Sequence, residues 1–202
     1  MTQYKIGYFV GSLATNSINR TLSKALIKLA PDNLAFTEIS IKDLPLYSYD
    51  YDASYPPEGT AFKAAVEAAD GLLFVSPEYN RSIPGALKNA IDWGSRPWGS
   101  NSFARKPSGI IGASVGAIGT AVMQSSMRSV LSFLDAPQLN SPEAYIAFKP
   151  EIFDAEGNVS DSSTAEFLGH YMSEYAAFVA RVLDVSAEGH IGDLDPMEKA
   201  EK

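Results

Sequence analysis

The sequence predicts an α/β domain in which a doubly wound, five-stranded parallel sheet carries helices on both of its faces. Three short runs support this prediction, because each has the length of a strand and is apolar at successive rather than alternating positions. These runs are residues 6–10, 72–75 and 110–113. Amphipathic helical patterns separate them along the chain, and strands that alternate with helices form right-handed βαβ units.

Two further strands complete the predicted sheet. Residues 35–41 alternate apolar and polar side chains, as an edge strand does, and a fifth strand is expected within residues 138–148. Between the strands, apolar side chains recur at the spacing of helical faces. These faces comprise Ile18, Leu22, Ala25, Leu26 and Leu29; Phe62, Val66 and Ala69; Ile83, Leu87, Ala90, Ile91 and Gly94; and Met123, Met127, Val130, Leu131 and Leu134. A last helix is expected over residues 164–183.

The composition is that of one ordinary folded domain. The chain has 202 residues, of which 46% are apolar and 20% are charged, and a chain of this length can bury a core without disulfides or structural metal. We expect a single domain over residues 1–185 and an acidic tail over residues 186–202. The sequence contains no cysteine, so thiolate nucleophiles are excluded and any redox chemistry must come from a cofactor.

Charge and hydropathy narrow the partners and the location. The 24 acidic residues outnumber the 16 basic ones and give a formal net charge of −8. Most of the surface therefore repels a phosphate backbone, and we expect no nucleic-acid partner. No apolar stretch approaches the roughly 18 residues of a membrane span, and residues 1–9 do not form a secretory signal. We expect a cytoplasmic protein with no membrane partner.

Ligands of a doubly wound sheet bind in the loops that follow the carboxyl ends of its strands. The first loop, residues 11–20, matches neither the GxxxxGK[ST] nor the GxGxxG pattern, which argues against a triphosphate-binding loop and against the usual dinucleotide-binding loop. It instead carries hydroxyl and amide side chains at Ser12, Thr15, Asn16, Ser17 and Asn19. At a helix start they suit a phosphate monoester, although N-capping of the helix needs one such residue too.

The second loop, residues 76–85, contains two prolines and a glycine. Its stiffened backbone could bond a flat heterocycle while Tyr79 stacks nearby, or it could be a plain turn. The aromatic segment 46–56 carries four tyrosines, which could line a site or a subunit contact, or equally cover the core.

The third loop, residues 112–119, has three glycines that let the backbone approach a ligand closely. It also matches the G-x-S-x-G pattern of serine hydrolases, with Ser114 as the nucleophile. In that alternative Asp154 or Asp161 would be the acid and His170 or His190 the base. The hydrolase interpretation leaves the first two loops without a role, and two distant histidines without cysteine predict no metal site.

Taken together, the first two loops carry a family likeness. The chain resembles the NAD(P)H-dependent FMN reductases in four segments. These are Gly11-Ser12-Leu13 with Ser17 and Asn19, Pro-Glu-Tyr-Asn at 77–80, Ser-Ile-Pro-Gly at 82–85, and Leu-Lys-Asn-Ala-Ile-Asp-Trp at 87–93. This flavodoxin-like group includes quinone, chromate and azo-dye reductases. The resemblance extends over residues 5–183 and includes the third loop.

The resemblance implies the positions of the cofactor contacts. Ser12, Ser17 and Asn19 would hold the FMN phosphate, and the isoalloxazine would contact two further groups, Pro77, Glu78, Tyr79 and Asn80 on one side and Ser114 with Gly116 at the other edge. Ala14 departs from the family pattern, which has an arginine there in many members. Arg20, or Thr15 with Asn16, would then have to compensate.

The implied activity is transfer of two electrons from NAD(P)H through FMN to a quinone-like acceptor, with chromate and azo compounds as further acceptors. The cofactor carries the chemistry, so no catalytic side chain is expected. Arg81 is expected to bind the anionic NAD(P)H, helped by Arg96, Arg105 or Lys106, or else to be a solvated surface arginine. A homodimer or homotetramer is expected. Two alternatives stay open, the Ser114 hydrolase and an FMN-binding module without turnover.

Overall fold

The computed structural model describes residues 2–187. In this part of the chain, five parallel strands form one sheet in the order β2-β1-β3-β4-β5, which is the flavodoxin-like order. The strands are β1 (Tyr4–Val10), β2 (Leu34–Glu38), β3 (Gly71–Val75), β4 (Ser108–Ser114) and β5 (Tyr145–Ala147). The predicted doubly wound sheet is therefore confirmed, with β2 at the predicted edge position and β5 at the other edge.

Five α-helices connect or follow these strands in the described residues. They are α1 (Ile18–Leu29), α2 (Pro57–Glu67), α3 (Gly85–Gly94), α4 (Ala121–Phe133) and α5 (Ser162–Ala187), and a short 3₁₀ helix covers Tyr49–Tyr51. Helices α1 and α5 pack on one face of the sheet, and α2, α3 and α4 pack on the other. Each face buries its own apolar cluster, which explains why the central strands are apolar at successive positions.

Most predicted boundaries shift by one or two residues, and two differ by more. Strand β2 ends at Glu38 rather than at residue 41. The Ile39 amide still donates to the Tyr8 carbonyl of β1 at 2.8 Å, and the chain then leaves the sheet, with Ile39 and Ile41 buried beneath the second helical layer. Helix α5 extends to Ala187 and so includes the first two residues of the predicted acidic tail. Residues 188–202 lie outside the described part of the chain.

Two buried tyrosines of α5 attach this helix to the sheet. The Tyr171 hydroxyl donates to the Ile110 carbonyl at 3.0 Å, and the Tyr175 hydroxyl donates to the Leu72 carbonyl at 2.8 Å. Burial raises the pKa of both phenols. Across residues 2–187, no helix has the length and the apolar character that crossing a membrane requires.

Candidate functional site

The three loops singled out in the sequence meet at the carboxyl edge of three neighbouring strands, β1, β3 and β4. Ser76 lies at their junction. A Cβ atom at Gly11 would overlap the Ser76 side chain, and one at Gly112 would overlap the Ser76 carbonyl oxygen. The glycines are therefore needed for close approach of the backbones, and the strand order reverses between β1 and β3, where ligands of such sheets bind.

The first loop presents hydroxyl and amide groups at the start of α1. Ser17 is the N-cap residue and is buried, yet its side chain does not cap the helix. The amides of Arg20 and Thr21 both donate to the Ser17 carbonyl, at 3.0 and 3.2 Å, so the orphan amides of the first turn are those that precede them. Ser12 is also buried, and its hydroxyl accepts from the Ala14 amide at 3.3 Å. Both hydroxyls could bind an anion together with the orphan amides.

Asn19 has a structural role that the sequence did not reveal. Its carboxamide donates to the Ala113 carbonyl at 2.9 Å and accepts from the Ala113 amide at 2.8 Å, and the residue is fully buried. The last backbone hydrogen bond from β3 to β4 runs from the Ser76 amide to the Ile111 carbonyl. Beyond it, the Asn19 carboxamide bonds Ala113 of β4 in the position that the next peptide group of β3 would occupy. The Asn19 carboxamide is therefore engaged inside the protein, whereas its main-chain amide is one of the orphan amides of the first turn, so a phosphate contact of Asn19 stays a prediction for that amide.

Arg20 does not replace the arginine missing at Ala14. Its guanidinium makes two hydrogen bonds to Glu38, at 2.8 and 2.9 Å, and Tyr8 donates to the same carboxylate at 3.3 Å. The hydrogen bond from Arg20 is the main cause that lowers the pKa of Glu38. The guanidinium is thus directed at the end of β2, away from any anion at the first loop.

The second loop ends in a tight turn. Tyr79 and Ser82 exchange backbone hydrogen bonds of 3.1 and 3.0 Å, and Asn80 and Arg81 between them have φ angles of 50° and 61°. Positive φ at both central residues identifies a type I′ turn. The turn supplies rigidity in addition to the two prolines, and Tyr79 stands half exposed beside it.

The Glu78 side chain is directed away from the loop surface. Its carboxylate accepts from the amides of Val122 and Met123, both at 3.0 Å, and its side chain is 8% exposed. Its other oxygen accepts from Arg81 at 3.3 Å. The side chain therefore caps α4, and only the Glu78 backbone remains available to a ring.

The third loop has an open, apolar surface. Val115 and Ile118 are 82% and 49% exposed, and among the described residues a Cβ atom at Gly116 would meet nothing closer than 3.4 Å. The Ser114 hydroxyl accepts from the Gly116 amide at 3.0 Å. Within residues 2–187 no histidine or carboxylate is hydrogen-bonded to this hydroxyl, so the hydrolase interpretation is not favoured. His170 is exposed on α5, and His190 lies outside the described residues.

Arg96, Arg105 and Lys106, expected to help Arg81 bind NAD(P)H, lie on the connection between α3 and β4. Lys106 lies just before β4, and its ammonium donates to the carbonyls of Glu67 and Ala69 at the end of α2, at 3.2 and 2.6 Å. Desolvation by burial lowers the pKa of this ammonium. Arg96 and Arg105 share this connection between α3 and β4, which lies at the amino edge of the sheet. Arg81 lies at the opposite, carboxyl edge, and help from these three residues in binding NAD(P)H stays a prediction.

The tyrosines of segment 46–56 mainly cover the core. Three of them surround the Trp93 ring at centroid distances of 5.0 to 5.3 Å, namely Tyr47, Tyr51 and Tyr55. Tyr47 donates to Asp52 at 2.8 Å, and burial followed by this bond raises its pKa to about 12. Tyr49 is 79% exposed. The segment thus belongs to the packing of α3, with Tyr49 as the exception.

Comparison with known proteins agrees with this site. A model of the NADPH-dependent FMN reductase family matches residues 4–151. A 2-hydroxy-1,4-benzoquinone reductase from a Burkholderia species is 50% identical over 175 residues, which cover 87% of this chain and 96% of the relative. A quinone reductase from Pseudomonas putida is 43% identical over 177 residues, which cover 87% and 95%.

A solved structure gives the same result. FerB, a flavoenzyme NAD(P)H:(acceptor) oxidoreductase from Paracoccus denitrificans, superposes with a TM-score of 0.85 at 39% identity, and the match covers 88% of this chain and 98% of FerB. The strand order, the three loops and these similarities all indicate the same family over most of the chain. The protein therefore belongs to the NADPH-dependent FMN reductase family.

Proposed function

We propose that the protein is an FMN-dependent oxidoreductase that passes two electrons from NAD(P)H to a quinone. The observation that carries this proposal is that the buried Ser17 hydroxyl makes no capping hydrogen bond. This N-cap hydroxyl is buried at a helix start and does not cap the helix, which leaves it, with the orphan amides of α1, free to bond a terminal phosphate. The donors present fit the phosphate of FMN, although no cation of the first loop neutralises it.

The phosphate and the ring would contact different loops. Ser12, Ser17 and the first-turn amides would hold the phosphate, and Thr15 and Asn16 are exposed beside them. The backbone of residues 77–80 would bond one edge of the isoalloxazine, and Ser114 with Gly116 would contact the other. The exposed side chains of Leu13, Tyr79 and Val115 supply the apolar contacts that a flat heterocycle needs.

Bound FMN supplies the chemistry, because it accepts a hydride and then delivers two electrons to a second substrate. The residues of this chain have the task of binding and orienting. The type I′ turn holds Tyr79 in place, and Arg81, whose side chain is 68% exposed, offers a positive charge to the phosphates of the incoming NAD(P)H. No side chain of the three loops is required to move a proton.

We infer the acceptor class from the relatives, which are named for quinones. A flat, apolar acceptor can use the same exposed surface of Leu13, Tyr79 and Val115 once the nicotinamide has left. We further propose that residues 1–185 act as one FMN-binding domain, that the enzyme is a homodimer or homotetramer, and that it works in the cytoplasm, where NAD(P)H is available.

The test is the cofactor content and turnover of the purified full-length protein. We expect a yellow protein that releases FMN on denaturation and oxidises NAD(P)H in proportion to added quinone. FMN binding without quinone-dependent turnover would instead identify a binding module. A colourless protein that takes up no added FMN would refute the proposal.

A further inference from the structure

Glu78 joins the two loops between which the flavin ring is proposed to lie. It belongs to the second loop, but its Oε2 atom accepts from the amides of Val122 and Met123 in the first turn of α4, both at 3.0 Å. First-turn amides have no partner within their own helix, and a carboxylate there interacts favourably with the helix dipole. Glu78 therefore acts as a helix cap supplied from a distant part of the chain.

The residue that would ordinarily cap α4 does not do so. Thr120 precedes the helix, yet its side chain makes no capping hydrogen bond. Its hydroxyl instead accepts from the Gln124 amide group at 3.0 Å, and both residues are fully buried. The start of α4 thus depends on Glu78, and the third loop ends immediately before this start.

The second oxygen of Glu78 contacts the turn of its own loop. Oε1 accepts from Arg81 at 3.3 Å, across a turn in which Asn80 and Arg81 both have positive φ. Such angles are unfavourable for residues other than glycine, so a contact that closes the turn stabilises it. One nearly buried carboxylate, with a side chain 8% exposed, holds the Tyr79 turn and the first turn of α4 together.

We propose that Glu78 is a positioning residue that fixes the distance between the second and third loops and thereby preorganises the flavin-ring site. It acts through the backbone of both loops without its side chain facing the ring. This inference rests on the proposed function, because the ring whose site it shapes is that of FMN. A cap that merely stabilises α4 would contribute equally to the protein with and without FMN, whereas a positioning residue contributes more to the FMN-bound form.

Measurement of FMN affinity separates these two roles. We would compare Glu78→Ala and Glu78→Gln with wild type in FMN titrations, in the visible circular dichroism of the bound flavin, and in thermal unfolding with and without FMN. Asp161→Ala is the matched control, because Asp161 caps α5 by accepting from the Thr164 amide at 2.8 Å and has no bond to either loop. The glutamine keeps one capping oxygen but turns an N–H group toward Arg81.

We expect Glu78→Ala to raise the FMN dissociation constant by up to about ten-fold, the value reached if the whole contribution of this cap is made in the FMN-bound form, and to alter the dichroism of the bound flavin. Glu78→Gln should fall between this variant and wild type, and it decides the matter if the alanine variant does not fold. Asp161→Ala should lower thermal stability and leave FMN affinity unchanged. Wild-type FMN affinity in a destabilised Glu78 variant would overturn the inference, whereas failure of the wild type itself to bind FMN would refute the proposed function.

Discussion

Replacement of Asn19 by alanine tests whether this residue supports the sheet or binds the phosphate. The substitution removes two hydrogen bonds, of 2.9 and 2.8 Å, and leaves the amide and carbonyl of Ala113 without partners in a fully buried place. A buried polar group left unsatisfied costs about 1 to 3 kcal/mol. With about 2 kcal/mol for each group, the free energy of unfolding should fall by about 4 kcal/mol.

Urea unfolding of the FMN-free protein measures this loss directly. In a chain of this size it corresponds to a decrease in Tm of about 8 to 16 °C. Asn16→Ala is the control, because Asn16 lies in the same loop but is exposed, and its unfolding free energy should change by less than about 0.5 kcal/mol. Asn19→Asp should also destabilise, since a carboxylate cannot donate to the Ala113 carbonyl. Unchanged stability of the FMN-free Asn19→Ala protein, with weaker FMN binding, would refute this reasoning.

Three further sets of variants address the charges around the site. Ala14→Arg should tighten FMN binding about ten-fold through a charge-assisted hydrogen bond. Arg20→Ala should leave FMN affinity nearly unchanged, because Glu38 binds that guanidinium. FMN titration at low salt checks both variants, and a large loss of affinity in Arg20→Ala would contradict the assignment of Arg20 to Glu38. Arg81→Ala should raise the KM for NAD(P)H and leave kcat unchanged, the pattern of lost ground-state binding, and a KM that stays constant would make Arg81 a bystander. The lowered pKa of Glu38 contributes stability above the ordinary pKa of a glutamate, and this stability is lost as the pH falls through the lowered value. Glu38→Gln should therefore reduce the fall in urea midpoint between neutral and acid pH, and an unaltered fall would show that the ion pair contributes nothing.

The sheet could be predicted from the sequence because the burial of a strand or helix determines which of its own neighbouring residues are apolar. Strands β3 and β4 are covered on both faces, so their side chains form continuous apolar runs, and the helices that cover them repeat at helical spacing. The end of β2 is harder to predict, since Ile41 is buried as a strand residue is, although the last hydrogen bond of this segment to β1 is made by the Ile39 amide. The three loops could be located because glycine, proline and hydroxyl residues follow each strand.

The roles of single side chains within those loops could not be read from the sequence. Asn19 and Ala113 are 94 residues apart, and Glu78 and Val122 are 44 apart. No local pattern distinguishes an asparagine that completes a sheet from one that binds phosphate, or a glutamate that caps a distant helix from one that faces a ring. The family resemblance assigned both residues to the cofactor, and the geometry assigns their side chains to the protein.

Anaerobic reduction of the purified protein tests the proposed function most directly. The measurement is the visible absorbance of the FMN-loaded protein, first after one equivalent of NAD(P)H and then after one equivalent of quinone. We predict that the yellow colour is lost on the first addition and returns on the second. Absorbance that persists with NAD(P)H present would contradict the proposal that this site transfers electrons from NAD(P)H to a quinone.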